Sequence, residues 1–277
     1  MAKIKVAYQG ERGAFSEVAA TKFLGKSITP IACNSFTLLF DMVEQGKVIY
    51  GVIPIENSLI GSIHKNYDLL LERNLKVIGE TYLRINHSLI ALKKVPVSKI
   101  QRVFSHPAAL DQCRNFFESH DSIAPIPYYD TAGAVKMLSE SGLTNAGAIA
   151  SPHAAKTYNM HIIKNSLEDE KTNFTRFLLL SKKDKKFKGT AKTSIVFSMK
   201  NQAGVLYKAL SVFALRDIDL SKIESRPLRK QAWQYHFYVD FEGSIQEERV
   251  KKALDHLGEI THFIKILGSY PMSADKF

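Results

Sequence analysis

The sequence predicts an α/β chain built from two unlike parts. Over the first two-thirds, short apolar stretches alternate with longer amphipathic ones, the pattern of strands and helices taken in turn. Over the last third the order becomes βαββαβ, that of a ferredoxin-like sandwich. Between them runs KKDKKFKGTAK, residues 182–192, almost entirely lysine and small residues. That stretch reads as a linker.

The elements of the first part follow in order. KIKVAYQG is a strand, followed by a helix from about Ala14 to Leu24. A strand near Ile28–Ala32 precedes a helix near Phe36–Glu44. YGVIPIEN is a strand, and GSIHKNYDLLLE a helix with Ile63, Tyr67, Leu70 and Leu71 on one face. LKVIGETYLRI and HSLIAL are extended. The pairs RVFS/PAALDQCRNFFE, APIPYYD/TAGAVKMLSES and AGAIAS/PHAAKTY come next, then the strand HIIKNS. Such βα repetition predicts parallel sheets with helices on both faces. Helices begin at Ser105 with Pro107, at Asp130 or Thr131, and at Ser151 with Pro152, all capping chemistry. Their N-termini fall at the carboxyl ends of strands, where open α/β sheets bind ligands and where N–H groups attract anions. The extended run Leu75 to Leu92 predicts a crossing between two lobes. NFTRFLLLS, residues 173–181, predicts the return, with Thr175 near the hinge.

In the last part, TSIVFSMK is a strand and GVLYKALSVFALRDI an amphipathic helix. DLSKIESRPL and AWQYHFYVDFEG are strands, the second alternating Trp233, Tyr235, Phe237 and Val239. QEERVKKALDHLGEI is a helix and HFIKILGSYP a closing strand. The edge strands and one sheet face of so small a unit are expected to stay open, which predicts pairing with a second copy.

Composition narrows the function classes. At 45% hydrophobic and 23% charged residues the chain is of soluble globular type. No apolar run approaches the ~20 residues that span a bilayer, and no membrane partner is expected. The start MAKIKVAYQG enters a strand directly, without a leader pattern. Cys33 and Cys113 sit apart in apolar company, as reduced core thiols do. A cytoplasmic protein is therefore expected. The net charge of +11 permits nucleic-acid binding, but the lysines are scattered and no RNP-like or finger-like motif accompanies them. None of the nine histidines falls in a metal-ligand spacing, so no metal is expected.

Several stretches place polar groups at strand ends. YQGERGAFSE lacks the GxGxxG spacing of a dinucleotide site. PIENS sets Glu56 and Asn57 just after a buried strand, where a plain turn would serve equally. Thr175 and Arg176 are on spacing alone a strand former and a solvated or ion-paired cation.

Together YQGERGAFSE, GVIPIENSLIGSIHKNYDLL, SHPAALDQC, YYDTAGA, NFTRFLLL, GVLYKAL and KIESRP resemble the prephenate dehydratases, in identity and order, over essentially the whole chain. GVLY stands where many relatives have GALV. The resemblance implies a two-lobed, periplasmic-binding-protein-like catalytic domain over residues 1–181, with hinges near 80–85 and 170–175. It also implies an ACT regulatory domain over 193–272. No chorismate mutase helix precedes the first strand, which fits the monofunctional form.

The implied reaction is decarboxylating dehydration of prephenate to phenylpyruvate, a carbon–oxygen lyase step in phenylalanine synthesis that needs no cofactor. The resemblance assigns hydrogen-bond donation to Thr175, with Glu56 as its catalytic companion through a relay or by positioning. It places Ser16, Asn57, Ser58, His106, Thr131, Arg176 and Phe177 around the substrate, although His106 serves equally as a helix-start group. It implies phenylalanine as an allosteric ligand at Gly204, Val205, Leu206, Tyr207, Glu224, Ser225, Arg226 and Pro227, in a homodimer or homotetramer. The alternatives are arogenate dehydratase, with the same chemistry on an amino analogue, and a non-catalytic amino-acid-sensing ACT protein.

Overall fold

The computed structural model describes residues 3–200, 202–228 and 234–275. By contact the chain forms two units. The first runs to Asn66, resumes over Thr81–Leu178 and includes Asp275; the second comprises Tyr67–Glu80 and Leu179–Ala274.

The chain order begins β1 (Ile4–Gln9), α1 (Phe15–Leu24), β2 (Ile28–Cys33), α2 (Phe36–Glu44), β3 (Tyr50–Asn57), β4 (Gly61–Ser62), α3 (His64–Glu72) and β5 (Lys76–Arg84). It continues through β6 (Ser88–Ala91), a 3-10 turn at Val97–Lys99, β7 (Arg102–Ser105), α4 (Pro107–Asp111), α5 (Arg114–Glu118) and β8 (Ala124–Pro127). Then come α6 (Thr131–Ser141), β9 (Ala146–Ala150), α7 (Pro152–Thr157), β10 (His161–Lys164) and β11 (Phe174–Ser181). The last part is β12 (Ala191–Ser198), α8 (Val205–Ala214), β13 (Leu220–Pro227), β14 (Tyr235–Glu242), α9 (Glu248–Ile260) and β15 (Phe263–Pro271).

Two sheets build the α/β part. One has the order β2-β1-β3-β11-β5 with β4 paired to β3, the other β10-β6-β9-β7-β8. The expectation of parallel sheets holds for β1 with β2 and β3, and for β7 with β8 and β9. It fails at β6, which is antiparallel to both β9 and β10. The reason lies in the connection. A helical crossover returns the chain to the same end of the sheet, whereas β6 leads to β7 of its own sheet with only the 3-10 turn between them. Ala132, Val135, Leu138, Ala148 and Ala154 form one buried cluster of this second sheet, and Leu89, Val103, Cys113 and Ile149 another. Both cysteines are free and buried. No described helix is long and apolar enough to cross a membrane.

The helix expected over PAALDQCRNFFE is two helices, broken at Gln112 and Cys113. Asp169 causes the break: its backbone N–H donates to the Gln112 carbonyl at 2.8 Å. Its carboxylate accepts from Arg114 N at 2.9 Å and Asn115 N at 3.2 Å, capping the second helix from outside. The capping assignments are also refined. Asp130 and Ser151 are N-caps, accepting from Gly133 N and Ala154 N. Ser105 is not, because its hydroxyl is buried and donates to the Ile149 carbonyl at 2.6 Å. His106 caps α4 instead, Nδ1 accepting from Ala108 N at 3.2 Å. In α3 the buried residues are Asn66, Tyr67, Leu69 and Leu70, with Leu71 only half-buried and Ile63 outside the helix.

The second unit carries an antiparallel sheet of order β13-β14-β12-β15, the ferredoxin-like arrangement. Helices α8 and α9 pack Val212, Phe213, Val250 and Leu257 onto Ile195, Phe197, Val239 and Phe241. Each such side chain is worth about 1.5–3 kcal/mol of apolar burial. Trp233 lies outside the described residues. The opposite sheet face was expected to be open and is not. Residues 67–80 cover it: Tyr67 meets Tyr238 edge-on at 4.9 Å, and the Tyr238 hydroxyl donates to the Tyr67 carbonyl at 3.1 Å. Lys265 Nζ donates to the carbonyls of Leu70, Leu71 and Arg73, closing the end of α3. A Cβ at Gly268 would collide with the Val77 carbonyl. Lys192 and Glu80 form a fully buried ion pair at 2.8 Å.

Candidate active site

The end of β3 meets the start of β11. Ser58 N donates to the Phe174 carbonyl at 2.8 Å, and Phe174 N returns to Ser58 Oγ at 2.9 Å. Ser58 Oγ donates in turn to the Thr172 carbonyl. Ser58 therefore acts as a clamp that fixes the register of the two segments. Beside it the Asn57 amide is held from both ends. Its Oδ1 accepts from Leu59 N at 3.0 Å and Ile60 N at 3.1 Å. Backbone N–H groups only donate, so the atom facing them is the oxygen, and the NH2 end faces β11. That NH2 donates to Thr175 Oγ1 at 2.9 Å, Asn173 Oδ1 at 2.8 Å and the Phe174 carbonyl at 3.1 Å.

The consequence for Thr175 is directional. The side chain is buried, and its oxygen accepts from an amide that has no lone pair to offer in return. Among the described residues its proton meets no acceptor. A hydroxyl fixed in this way keeps its O–H available as a donor to an oxygen brought alongside.

Strand alternation separates the other expected residues. Glu56 is turned to the face opposite Asn57, and Arg176 opposite Thr175. These two meet each other at 4.0 Å, Arg176 almost wholly buried and Glu56 about one-third exposed. The structure thus pairs Thr175 with Asn57, and Glu56 with Arg176. Phe177 shares the Thr175 side of β11 but is 2% exposed, so it supports the strand from within. His106 is exposed and occupied as a helix cap. Thr131 is the first residue of α6, half-buried. Ser16 is buried in the first turn of α1. Its neighbour Glu17 accepts from Gly13 N at 2.6 Å and lies 3.6 Å from His153 Nε2. Burial works against the Glu17 charge, yet the His153 and Gly13 hydrogen bonds hold its carboxyl below the ordinary range.

Two functional candidates escaped the sequence reading. Asn173 Nδ2 donates to Gln112 Oε1 at 2.9 Å, extending the Asn57 amide row into the break between α4 and α5. Gln112 lies on the lining of a cavity of about 420 Å³ shared with Leu59, Ile60 and Asp169. Its own NH2 makes no hydrogen bond among the described residues. Asn173 carried a signal, since it immediately precedes the Phe-Thr-Arg run; Gln112 carried none beyond its place in the SHPAALDQC stretch. Among the described residues no group of three or more His, Cys, Asp or Glu side chains could hold a metal ion.

In the second unit, Gly204 begins α8 at φ 76° with open space where a Cβ would point, so backbone and not crowding asks for glycine. Leu206 and Tyr207 are exposed, Tyr207 at 77%. The β13 pairings divide the remaining expected ligand residues. Ser225 lies opposite Phe237, on the face that packs against α8. Glu224 lies opposite Tyr238, on the face covered by residues 67–80. There Glu224 is 3.8 Å from Lys222, and Arg226 makes an ion pair with Asp68 at 3.2 Å. Pro227 ends the strand, exposed. The sheet therefore brings Ser225, but not Glu224 or Arg226, to the α8 side.

Fold and site together define an enzyme that couples an α/β catalytic unit to a small βαββαβ unit. Comparison with known proteins makes this specific. The prephenate dehydratase family profile matches residues 6–185, and that of the ACT domain matches residues 193–259. An arogenate dehydratase/prephenate dehydratase from Arabidopsis thaliana is 46% identical, over 98% of this chain and 73% of its own length. Prephenate dehydratase from Arthrobacter aurescens, solved in complex with L-Phe, superposes with a TM-score of 0.90 at 29% identity, over 97% of this chain and 90% of that one. A structure described as a novel type of quorum-quenching acylase superposes at 0.89 with 30% identity, covering 98% of both chains. The chain belongs to the prephenate dehydratase family and carries an ACT domain.

Proposed function

We propose that the chain converts prephenate to phenylpyruvate, with Thr175 as the hydrogen-bond donor to the departing hydroxyl. The observation that carries this reading is the Asn57 amide, locked by two backbone N–H groups and aimed at Thr175 Oγ1. Breaking the bond from the ring to its carboxylate releases carbon dioxide and sends an electron pair into the ring. The ring becomes aromatic as the C4–oxygen bond breaks and hydroxide, once protonated, leaves as water. Negative charge gathers on that oxygen only as the bond breaks, so a fixed donor there favours the transition state over bound substrate. The ring carboxylate loses its charge in the same step and gains nothing from a tight clamp.

Asn57 and Ser58 hold the donor in place. Glu56, paired with Arg176, serves this reading by positioning rather than by a direct relay. The Thr175 arrangement also favours dehydration over the acylase activity named for the quorum-quenching relative. A nucleophilic hydroxyl needs a base to take its proton, whereas the partner of Thr175 is a donor.

The second unit binds phenylalanine through the start of α8 and strand β13, a reading supported by the L-Phe complex of the Arthrobacter relative. Pairing of two copies runs along the β13 edge, beside exposed Leu206, Tyr207 and Ile223, to give a dimer or a dimer of dimers. Reduced, buried Cys33 and Cys113 suit a cytoplasmic setting.

Ultraviolet detection of phenylpyruvate formed from prephenate by the purified chain tests the proposal, with arogenate in parallel and phenylalanine added. Turnover of prephenate, depressed by phenylalanine, is expected. Turnover of arogenate alone would move the assignment to the amino analogue, and phenylalanine binding with neither activity would leave an amino-acid sensor.

A further inference from the structure

The amide row does not end at Gln112. On its far side His87 Nε2 lies 2.9 Å from the same Gln112 Oε1 that accepts from Asn173. We infer that His87 is a positioning residue for the reaction, anchoring through Gln112, Asn173 and Asn57 the direction in which the Thr175 hydroxyl points. The inference rests on the proposed donor role of Thr175.

The polarity of the whole row follows from its fixed end. Leu59 N and Ile60 N make the near atom of Asn57 its oxygen, so its NH2 faces Asn173. The facing atom of Asn173 is then its oxygen, and its NH2 faces Gln112. The Gln112 atom there must accept, and it accepts from His87 as well. An amide oxygen cannot donate, so His87 carries its proton on Nε2. Four side chains thus have one self-consistent arrangement, set between backbone donors at one end and the imidazole N–H at the other. Removing the imidazole N–H leaves the Gln112 oxygen one donor instead of two, so the row keeps the polarity set at Asn57 but loses its second anchor and holds Asn173, and through it Asn57, less rigidly.

The surroundings of His87 keep it neutral. The ring is 2% exposed and meets Phe15 edge-on at 5.8 Å. Burial draws its pKa down, against the hydrogen bond to Gln112 and the nearby Glu168 carboxylate, which accepts from His87 N at 2.8 Å. Arg84 offsets Glu168 at 3.5 Å. Among the described residues the other ring nitrogen, Nδ1, is buried without a partner. Packing alone would favour an apolar side chain over a ring with an orphaned nitrogen; the Nε2–H bond gives a reason to keep it.

Steady-state kinetics on prephenate with His87→Leu and His87→Gln test the assignment, thermal unfolding confirming that each variant folds. Because the hydroxyl matters most as the bond breaks, kcat of His87→Leu is expected to fall about tenfold with KM within about twofold. Glutamine places an N–H near the position of Nε2 and is expected to restore kcat to within about threefold of wild type. A folded His87→Leu with wild-type kcat would overturn the inference, as would equal losses in both variants. If His87→Leu does not fold, His87→Asn, whose amide stops short of Gln112, takes its place in the contrast. Thr175→Val in the same assay separates the two layers. Wild-type turnover there removes the donor reading, whereas a collapse there with an unaffected His87→Leu removes only the role of His87.

Discussion

The polar interior of the catalytic unit and that of the ACT-bearing unit are built on different physics. In the first, Asn57, Asn173, Thr175 and Gln112 form a neutral row of amides and a hydroxyl. In the second, Lys192 with Glu80 and Arg226 with Asp68 are charged pairs between the sheet and residues 67–80. A neutral row contributes little net stability per bond, about 1 kcal/mol each, but it specifies which way each group points. A buried ion pair fastens two elements together and leaves a costly orphan when either partner is lost. The difference teaches what polar groups do in each unit: direction at the candidate site, attachment where residues 67–80 cover the ACT sheet.

The ion pair should give the larger stability effect. Lys192→Met, leaving Glu80 charged and 0% exposed, is expected to destabilise the protein by about 3 kcal/mol in denaturant unfolding. Lys192→Met with Glu80→Leu, which removes both charges, should recover most of that loss. If the single and double variants are equally unstable, the pair is not an attachment and the contrast between units fails.

A smaller effect sharpens the same contrast through pH. Buried His87 in one unit and His236 in the other both have pKa values drawn below 6.5, chiefly by burial. For such groups the unfolded chain binds the proton more readily, so their contribution is present above about pH 6.5 and is lost as pH falls below it. Chemical unfolding at pH 7.5 and 5.5 should show a loss of stability on acidification that His87→Gln reduces and does not abolish. An unchanged loss in that variant would mean His87 is not buried neutral.

Local patterns in the sequence were sufficient for much of the fold. Capping side chains marked the starts of α6 and α7, and the alternation of β14 was read from residue type. The resemblance of the TRF and IENS stretches brought Thr175 and Asn57 into one site although they stand 118 positions apart. What stayed hidden required knowing which distant segments meet. Asp169 breaks the helix at Gln112 and caps Arg114 from 55 residues away, and no feature of PAALDQC announces it. The reversed direction of β6 depends on a connection without a helix. The cover over the ACT sheet comes from residues 67–80, which nothing in the last third of the sequence can reveal. Strand alternation could have set Glu56 apart from Thr175, since adjacent residues of β3 face opposite ways.

The central claim is that the Thr175 hydroxyl, aimed by Asn57, donates to the departing oxygen. The most direct test is the kcat of Thr175→Val, a replacement of nearly equal volume, on prephenate. Loss of one pre-organised donor predicts a fall of about a hundredfold or more, with the melting temperature close to wild type. A folded Thr175→Val enzyme turning over prephenate at the wild-type rate would contradict the account.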